Sequence, residues 1–306
     1  MPTNKINFLS KIETVEKIAS ASKFKRMLVN PFRYLSAIFF RRVTYFFTKK
    51  EKEVTTSTFF GTDIHIFLPS STDIYLTGGK SHETEIRLAK FLIQNLGKSD
   101  VFFDVGAHYG YFSLLASQLI DENGQVFSFE ASPATFNILK KNQLNQSNIK
   151  VYNQAVSDVN APLTFYEFPN LYSEYNTLEI GQFKDAAWFM KYKPKEITIE
   201  AIVLDDFLAK ENIQFKIIKI DVEGAEFKVI EGMKKHLKKH SPIIIMEYLS
   251  EERGQEEHIK AEMLLHSLGF SPYLIDNKGQ LKEVKSVIQH IKEKGLESDN
   301  IAFVKK

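Results

Sequence analysis

The chain has 306 residues, 43% hydrophobic and 25% charged, with 26 Phe, enough apolar mass for one large α/β domain plus an appendage. It has no cysteine, which excludes disulfides, thiolate metal sites and cysteine nucleophiles and fits a cytoplasmic protein. The net charge of +2 conceals an asymmetry: residues 1–50 carry eleven Lys and Arg against Glu13 and Glu16, while the rest is net acidic.

Residues 5–28 read as a helix, with Ile12, Val15, Ile18 and Ala19 at helical spacing, and Asn30-Pro31 breaks it. No apolar core of a secretory signal follows the first basic residues. Residues 32–47 predict a second helix, on which Phe32, Leu35, Phe39, Val43 and Phe46 form one apolar stripe. Arg33, Arg41, Arg42, Lys49 and Lys50 lie off the stripe or near its end. The most apolar stretch, residues 34–47, is split by Arg41-Arg42 and falls short of the about 20 apolar residues that a membrane span needs. Such a stripe has three fates: the acidic body, another subunit, or the headgroup layer at the inner face of an anionic membrane. Residues 1–52 are therefore expected to form a basic helical arm, and residues 53–306 the catalytic domain.

Short strands are expected within residues 54–77, ended by Gly78-Gly79, and then a helix from an N-cap at Ser81 to Leu96. From Asp100 the pattern alternates. Strands are predicted at residues 101–105, 125–130, 150–156, 215–221 and 243–247. Helices are predicted at 109–119, from Ser132-Pro133 to about 145, and at 225–237 and 256–268. This alternation implies a doubly wound α/β fold with a mostly parallel sheet. Residues 271–275 and 301–304 predict a short antiparallel edge. Residues 161–204 interrupt the alternation with two strand-like runs, 163–168 and 197–204. Between them lies an aromatic segment with Tyr172, Tyr175, Phe183, Trp188, Phe189 and Tyr192, expected to cover an acceptor site from about residue 170 to 195.

Ligands of an open parallel sheet bind beyond the carboxyl ends of its strands. An acid stands at or near each of these ends: Asp104, Glu130, Asp158 (just past Ala155), Asp221 with Glu223, and Glu247. An acidic rim repels the pyrophosphate of a dinucleotide but suits a ligand with a sulfonium, an ammonium and a ribose diol, as in S-adenosylmethionine. The turn Asp104-Val-Gly106-Ala107-His108-Tyr-Gly110 lets backbone approach such a ligand. Glu130 can accept hydrogen bonds from both ribose hydroxyls, with Ala131 beside it. His108, in place of a glycine, has to accept positive φ or turn its imidazole toward the ligand. Single acids at these positions also serve as helix caps, a reading that weakens as the acids accumulate.

The turn, together with Phe129-Glu-Ala-Ser-Pro and Ile220-Asp-Val-Glu-Gly-Ala-Glu226, resembles the FkbM family of methyltransferases over roughly residues 73–250. The resemblance implies the class I methyltransferase fold, a seven-stranded Rossmann-like sheet with an antiparallel last strand, S-adenosylmethionine as cofactor, and O-methylation of sugar, glycan or natural-product hydroxyls. His108 departs from the family's usual Gly-Ala-Asn turn. Asp221 and Glu223 stand where the reactive methyl is expected, and either can orient or deprotonate a hydroxyl. Glu226 reads as structural. His82, at the start of the helix before the first strand of the sheet, is a further candidate base, weighed against an ordinary surface histidine. The spacing of Asp221, Glu223 and Glu247 permits a metal but does not demand one, and none is assigned.

Three other readings compete. An NAD-dependent oxidoreductase needs a dinucleotide glycine pattern, which is missing. A non-enzymatic binding module on the same fold stays as an alternative, against which the intact acids argue. A nucleic-acid methyltransferase would exploit the basic arm, but the body is acidic and Asp221-Val-Glu-Gly is ill suited to a flipped base, so nucleic acid is not the expected partner.

Overall fold

The computed structural model describes residues 3–183 and 189–305. Helices α1 (Thr3–Ala19), α2 (Lys23–Val29) and α3 (Pro31–Phe39) lead through a π-helical turn at Phe40–Thr44 into α4 (Tyr45–Thr48). The expected helix over residues 5–28 is thus broken, because Ser22 turns out of α1 and caps α2 by accepting from the Lys25 amide. Strands β1 (Lys52–Ser57) and β2 (Asp63–Leu68) form an antiparallel hairpin. The last part of the stretch expected as strands is instead the helix α5 (Thr72–Thr77), closed by Gly78 in the left-handed conformation. Helix α6 (Glu83–Asn95) follows, with His82 rather than Ser81 at the N-cap position.

The alternating region contains β3 (Val101–Val105), α7 (Tyr111–Leu119), β4 (Gln125–Phe129), α8 (Pro133–Gln143) and β5 (Ile149–Tyr152). Next come β6 (Ala155–Ser157), β7 (Pro162–Glu167), β8 (Lys195–Val203), α9 (Leu204–Glu211) and β9 (Ile217–Ile220). Helices α10 (Glu226–Glu231) and α11 (Lys234–Lys239) replace the single helix expected over 225–237, with Gly232 at the break. The chain ends with β10 (Ile243–Leu249), α12 (Glu256–Ser267), β11 (Phe270–Ile275), β12 (Leu281–Glu283), α13 (Val287–Lys294) and β13 (Ser298–Lys305).

The main sheet has the order β12-β11-β13-β10-β9-β3-β4-β5. It contains the seven strands of the expected fold, with the three-residue β12 added at one edge. Strands β11 and β13 pair antiparallel at this end of the sheet, the edge expected from residues 271–275 and 301–304, with β13 lying between β10 and β11. Strands β3, β4, β9 and β10 are parallel, and their side chains are almost wholly buried. One face of the sheet packs under α6, α7 and α1, where Phe8, Ile12 and Val15 join the same apolar cluster as Leu88 and Leu115. The other face packs against α9–α13, around the stacked rings of Phe103, Phe127 and Phe129.

The strand expected over residues 150–156 is split. Its first half is β5, and its second half, β6, leaves the main sheet to pair in parallel with β8, which pairs antiparallel with β7. This small sheet holds both ends of the inserted segment. Short 3-10 turns at Asn170–Tyr175 and Ile180–Phe183 follow β7. A bridge between Tyr166 and Thr177 folds the segment back against β7 of this small sheet.

Candidate active site

The carboxyl ends of β3, β4, β9 and β10 open into a cleft of about 590 Å³, a size that suits a small molecule. Gly106, His108, Glu130 and Ala131 line one part of it, and Asp221, Glu223 and Glu247 another. Ala155 lines it from β6, and His82 from the exposed start of α6.

The glycine turn is shaped by contacts that allow no side chain. Gly106 has φ +76°, and a Cβ there would lie 1.7 Å from the carbonyl oxygen of Asp221. The crossing of β3 onto the β9 loop therefore requires glycine on both conformational and steric grounds. The Gly106 and Ala107 amides both donate to the Phe129 carbonyl at 3.0 Å, which ties the turn to β4. His108 takes positive φ at 52°, one of the two alternatives its sequence position allowed. Its ring lies 2.8 Å, Nε2 to Oγ, from Ser173 of the inserted segment. Burial and then the Lys80 charge pull the His108 pKa down to about 3, so this contact is made by a neutral imidazole.

Glu130 is buried, and both its carboxylate oxygens are held. The His108 amide donates to Oε2 at 2.8 Å and the Ser132 amide to Oε1 at 2.9 Å. Each oxygen retains acceptor capacity, which matches a vicinal diol. Burial raises the Glu130 pKa to about 7 against the opposing pull of the two amides. A diol is bound best by the ionised form. We expect S-adenosylmethionine affinity to fall as pH drops through about 7, and Glu130→Ala to lose about 2–3 kcal/mol of it. Calorimetry at pH values on either side of this midpoint checks both effects. An affinity that is independent of pH, or unchanged in the variant, would remove Glu130 from the cofactor site.

Beneath the turn stands Lys219. Parallel register sets it opposite Asp104, and the period of two sets it on the same face as Asp221. Its Nζ lies 3.6 Å from Asp104, 3.0 Å from Asp221 and 3.4 Å from the Gly106 carbonyl. Burial opposes the Lys219 charge, but Asp221 and Asp104 outweigh it and raise the pKa. Burial likewise pushes Asp221 up, but Lys219 and Lys80 outweigh it, and the Asp221 carboxyl lies below its usual range. Asp104 also accepts from Ser113 Oγ at 2.6 Å. It is a buried support of the turn and does not line the cleft.

The carboxylate oxygens of Asp221, Glu223 and Glu247 approach within 4.8 Å of one another. Arg253 donates to Glu223 at 2.8 Å and, with Lys219, already supplies cations to this cluster. Burial and then the Asp221 charge raise Glu247 to about 8. Burial and then the Glu247 charge raise Glu223 well above the usual carboxylate range. Glu223 has positive φ at 53°, an uncommon conformation for a residue with a side chain. Glu226 stabilises it: its two oxygens accept from the Val222 amide at 3.1 Å and the Gly224 amide at 3.0 Å, backed by His258 at 3.0 Å. Glu226 is thus structural, as read from the sequence.

Ala107 and Gly110 shape the turn without lining the main cleft, Gly110 as the left-handed residue before α7. Asp158 is a correction. Because β6 leaves the main sheet, Asp158 lies exposed beside Ser157, away from the cleft. The inserted segment does reach the site: Ser173, Glu174 and Tyr175 line the cleft, and Thr177 Oγ1 donates to the Glu223 carbonyl at 2.6 Å. Tyr172 and Tyr192 pack against each other, 4.7 Å between ring centroids. Trp188 and the Phe183 side chain lie outside the described residues. The sequence reading gave no role to Lys219, Glu174 or Arg253. A lone Lys in the otherwise apolar run Ile217–Ile220 was a readable sign of a buried ion pair.

The profile of the Methyltransferase FkbM domain matches residues 104–272, more than half of the chain and all of the strand-end loops described above. The chain belongs to the FkbM methyltransferase family. This FkbM protein is an S-adenosylmethionine-dependent methyltransferase with the class I, Rossmann-like fold. It is similar to Methyltransferase 1 of Beauveria bassiana (strain ARSEF 2860), with 28% identity over 183 residues, 55% of this chain and 71% of that protein. Among solved structures it is similar to methyltransferase FkbM from Methylobacillus flagellatus KT, with 13% identity and a TM-score of 0.41, covering 77% of this chain and 52% of that one. It is also similar to the O-methyltransferase from Bacillus cereus in complex with SAH, with 15% identity and a TM-score of 0.39, covering 72% and 80%. The acidic strand ends and the glycine turn of the FkbM chain fit the cofactor's cation and ribose. The Gly106 contact leaves the turn no side chain that would compete for that space.

Proposed function

We propose that this FkbM enzyme methylates a hydroxyl oxygen of a neutral, sugar-like acceptor, with Glu223 taking the hydroxyl proton. The observation that carries this reading is the carboxylate cluster past β9 and β10, with Glu223 and Glu247 raised toward proton-accepting strength. S-adenosylmethionine, when bound, supplies a methyl group on a sulfonium, which requires a hydroxyl held in line and relieved of its proton. Arg253 orients Glu223 at 2.8 Å, and Asp221, kept ionised by Lys219, provides a fixed acceptor for hydroxyl groups. Among the described residues, nine Asp and Glu line the cleft against four Lys and Arg, which disfavours an acceptor bearing phosphates, nucleic acid included. The Tyr175 ring, with the Arg253 guanidinium 5.5 Å from its centroid, offers a face on which a sugar ring can pack. This reading gives no proton-transfer role to His82, whose side chain stands exposed at the rim. The test is incubation with methyl-labelled cofactor and a panel of neutral glycans, free sugars, amines and RNA, followed by mass spectrometry of the labelled product. An O-methyl sugar is the expected product. Label on nitrogen or on nucleic acid would overturn the proposal.

A further inference from the structure

The apolar stripe on residues 32–46 faces away from the body. Helix α3 docks instead through its opposite side, where Ala37 is buried and Arg33 donates to Thr56 Oγ1 at 2.9 Å and the Tyr75 carbonyl at 3.1 Å. Phe32 is 86% exposed, Phe39 62% and Phe46 61%. Phe24, Leu28 and Phe47 extend the same exposure along α2 and α4. Among the described residues, eleven of the sixteen exposed large hydrophobic side chains lie in the first 50. The same segment has no acid between Glu16 and Glu51, and Lys23, Lys25, Arg26, Arg41, Arg42, Lys49 and Lys50 are all exposed.

We propose that the outward face of α2–α4 docks on an anionic lipid bilayer, with its Phe and Leu side chains among the headgroups and its Lys and Arg against lipid phosphates. Charge selects this occupant over the others. A second copy would bring two strongly basic faces together, which like-charge repulsion opposes. RNA matches the charge but leaves Leu28, Val29, Leu35 and Ile38 without partners, since phosphates and stacked bases do not cover aliphatic side chains. A bilayer interface satisfies both features at once. The arm lies on the surface and does not span it: no helix among the described residues is long and apolar enough to cross a membrane. The docked face is tied to the enzyme through Arg33 and through α1, in which Ile12 and Val15 are buried and Glu16 pairs with Lys90 at 2.7 Å. Arg41 flanks this face and also lines the cleft, so docking brings the rim of the cleft to the headgroup layer.

The full-length protein is to be sedimented with phosphatidylcholine vesicles, with and without phosphatidylglycerol, at low and high salt. Two variants accompany it: Phe32→Ser/Phe39→Ser/Phe46→Ser, and Lys23→Glu/Lys25→Glu/Arg42→Glu/Lys49→Glu. All seven side chains are exposed, and unchanged melting temperatures confirm that both variants fold. The wild type is expected to pellet with the anionic vesicles at low salt. High salt or either variant is expected to weaken binding by at least about tenfold. A protein that stays in the supernatant, or a triple Ser variant that pellets like wild type, overturns the proposal. A concentration-dependent dimer that the triple variant abolishes, without vesicle binding, assigns the face to a second copy and equally overturns it. So does binding to RNA without binding to vesicles.

Discussion

Gly106→Ala is expected to lower stability by on the order of 2–5 kcal/mol and to abolish cofactor binding. The added Cβ would lie 1.7 Å from the Asp221 carbonyl oxygen and 2.8 Å from its carbon, both backbone atoms of a loop fixed by the parallel β3–β9 pairing. A left-handed conformation costs an L-residue about 1–2 kcal/mol, and separating the two backbone segments costs about 1–3 kcal/mol more. In a domain of this size the melting temperature should fall by roughly 4–10 °C. Gly110→Ala is the control. It has a similar φ of +83°, but its Cβ would meet only the Leu139 Cδ1 atom at 2.5 Å, the end of a flexible side chain. That variant should lose only about 1–2 kcal/mol and keep measurable cofactor affinity. Thermal melts and titrations of the two variants decide the matter. Equal losses would show that conformational strain acts alone and that the contact with the Asp221 backbone has no weight.

Glu223→Gln should reduce kcat by about 10²–10⁴ while leaving cofactor affinity near wild type, the range expected for loss of a general base. The pH dependence sharpens the test. Burial and then the Glu247 charge hold Glu223 protonated well above the usual carboxylate range, so it ionises and accepts a proton only at a pH above that range. The wild-type rate should therefore rise with pH and level off once Glu223 is ionised. Glu247→Gln removes the charge that helps to raise Glu223, so its rising limb should move to lower pH with activity retained. Glu223→Gln should lose the limb altogether. A purely structural Glu223 would instead change melting temperature and leave the shape of the profile untouched. Single-turnover rates across the pH range, with melts alongside, separate these outcomes.

The alternation of strand and helix from Val101 onward was legible because each buried strand is a short apolar run, and α7, α8, α10 and α12 follow closely on Gly110, Ser132-Pro133, Gly224 and Gly254. The glycine turn, Glu130 and the Asp221-Val-Glu-Gly loop were legible because each is contiguous in sequence and stands at a strand end facing the cleft. Asp158 misled because β5 and β6 read as one run of β-formers, and no local signal shows where a strand leaves one sheet for another. Helix α5 was missed for a related reason: four of its six residues are Thr, Ile or Tyr, which carry strand propensity, and tertiary packing overrode it.

The sequence alone determined the family, the sheet and the acids Glu130, Asp221, Glu223 and Glu247 that line the cleft, because these rest on contiguous motifs and on the periods of the two regular structures. The tertiary structure alone decided that Lys219 meets Asp104, that Ser173 reaches His108 and that Arg253 grips Glu223. Those pairs are separated by 115, 65 and 30 positions, and only strand register and loop closure bring them together. It also decided which side of α3 is covered. Periodicity shows which residues share a face, but burial is set by what the rest of the chain places against it. Here Arg33 and Ala37 are turned inward and the Phe stripe outward.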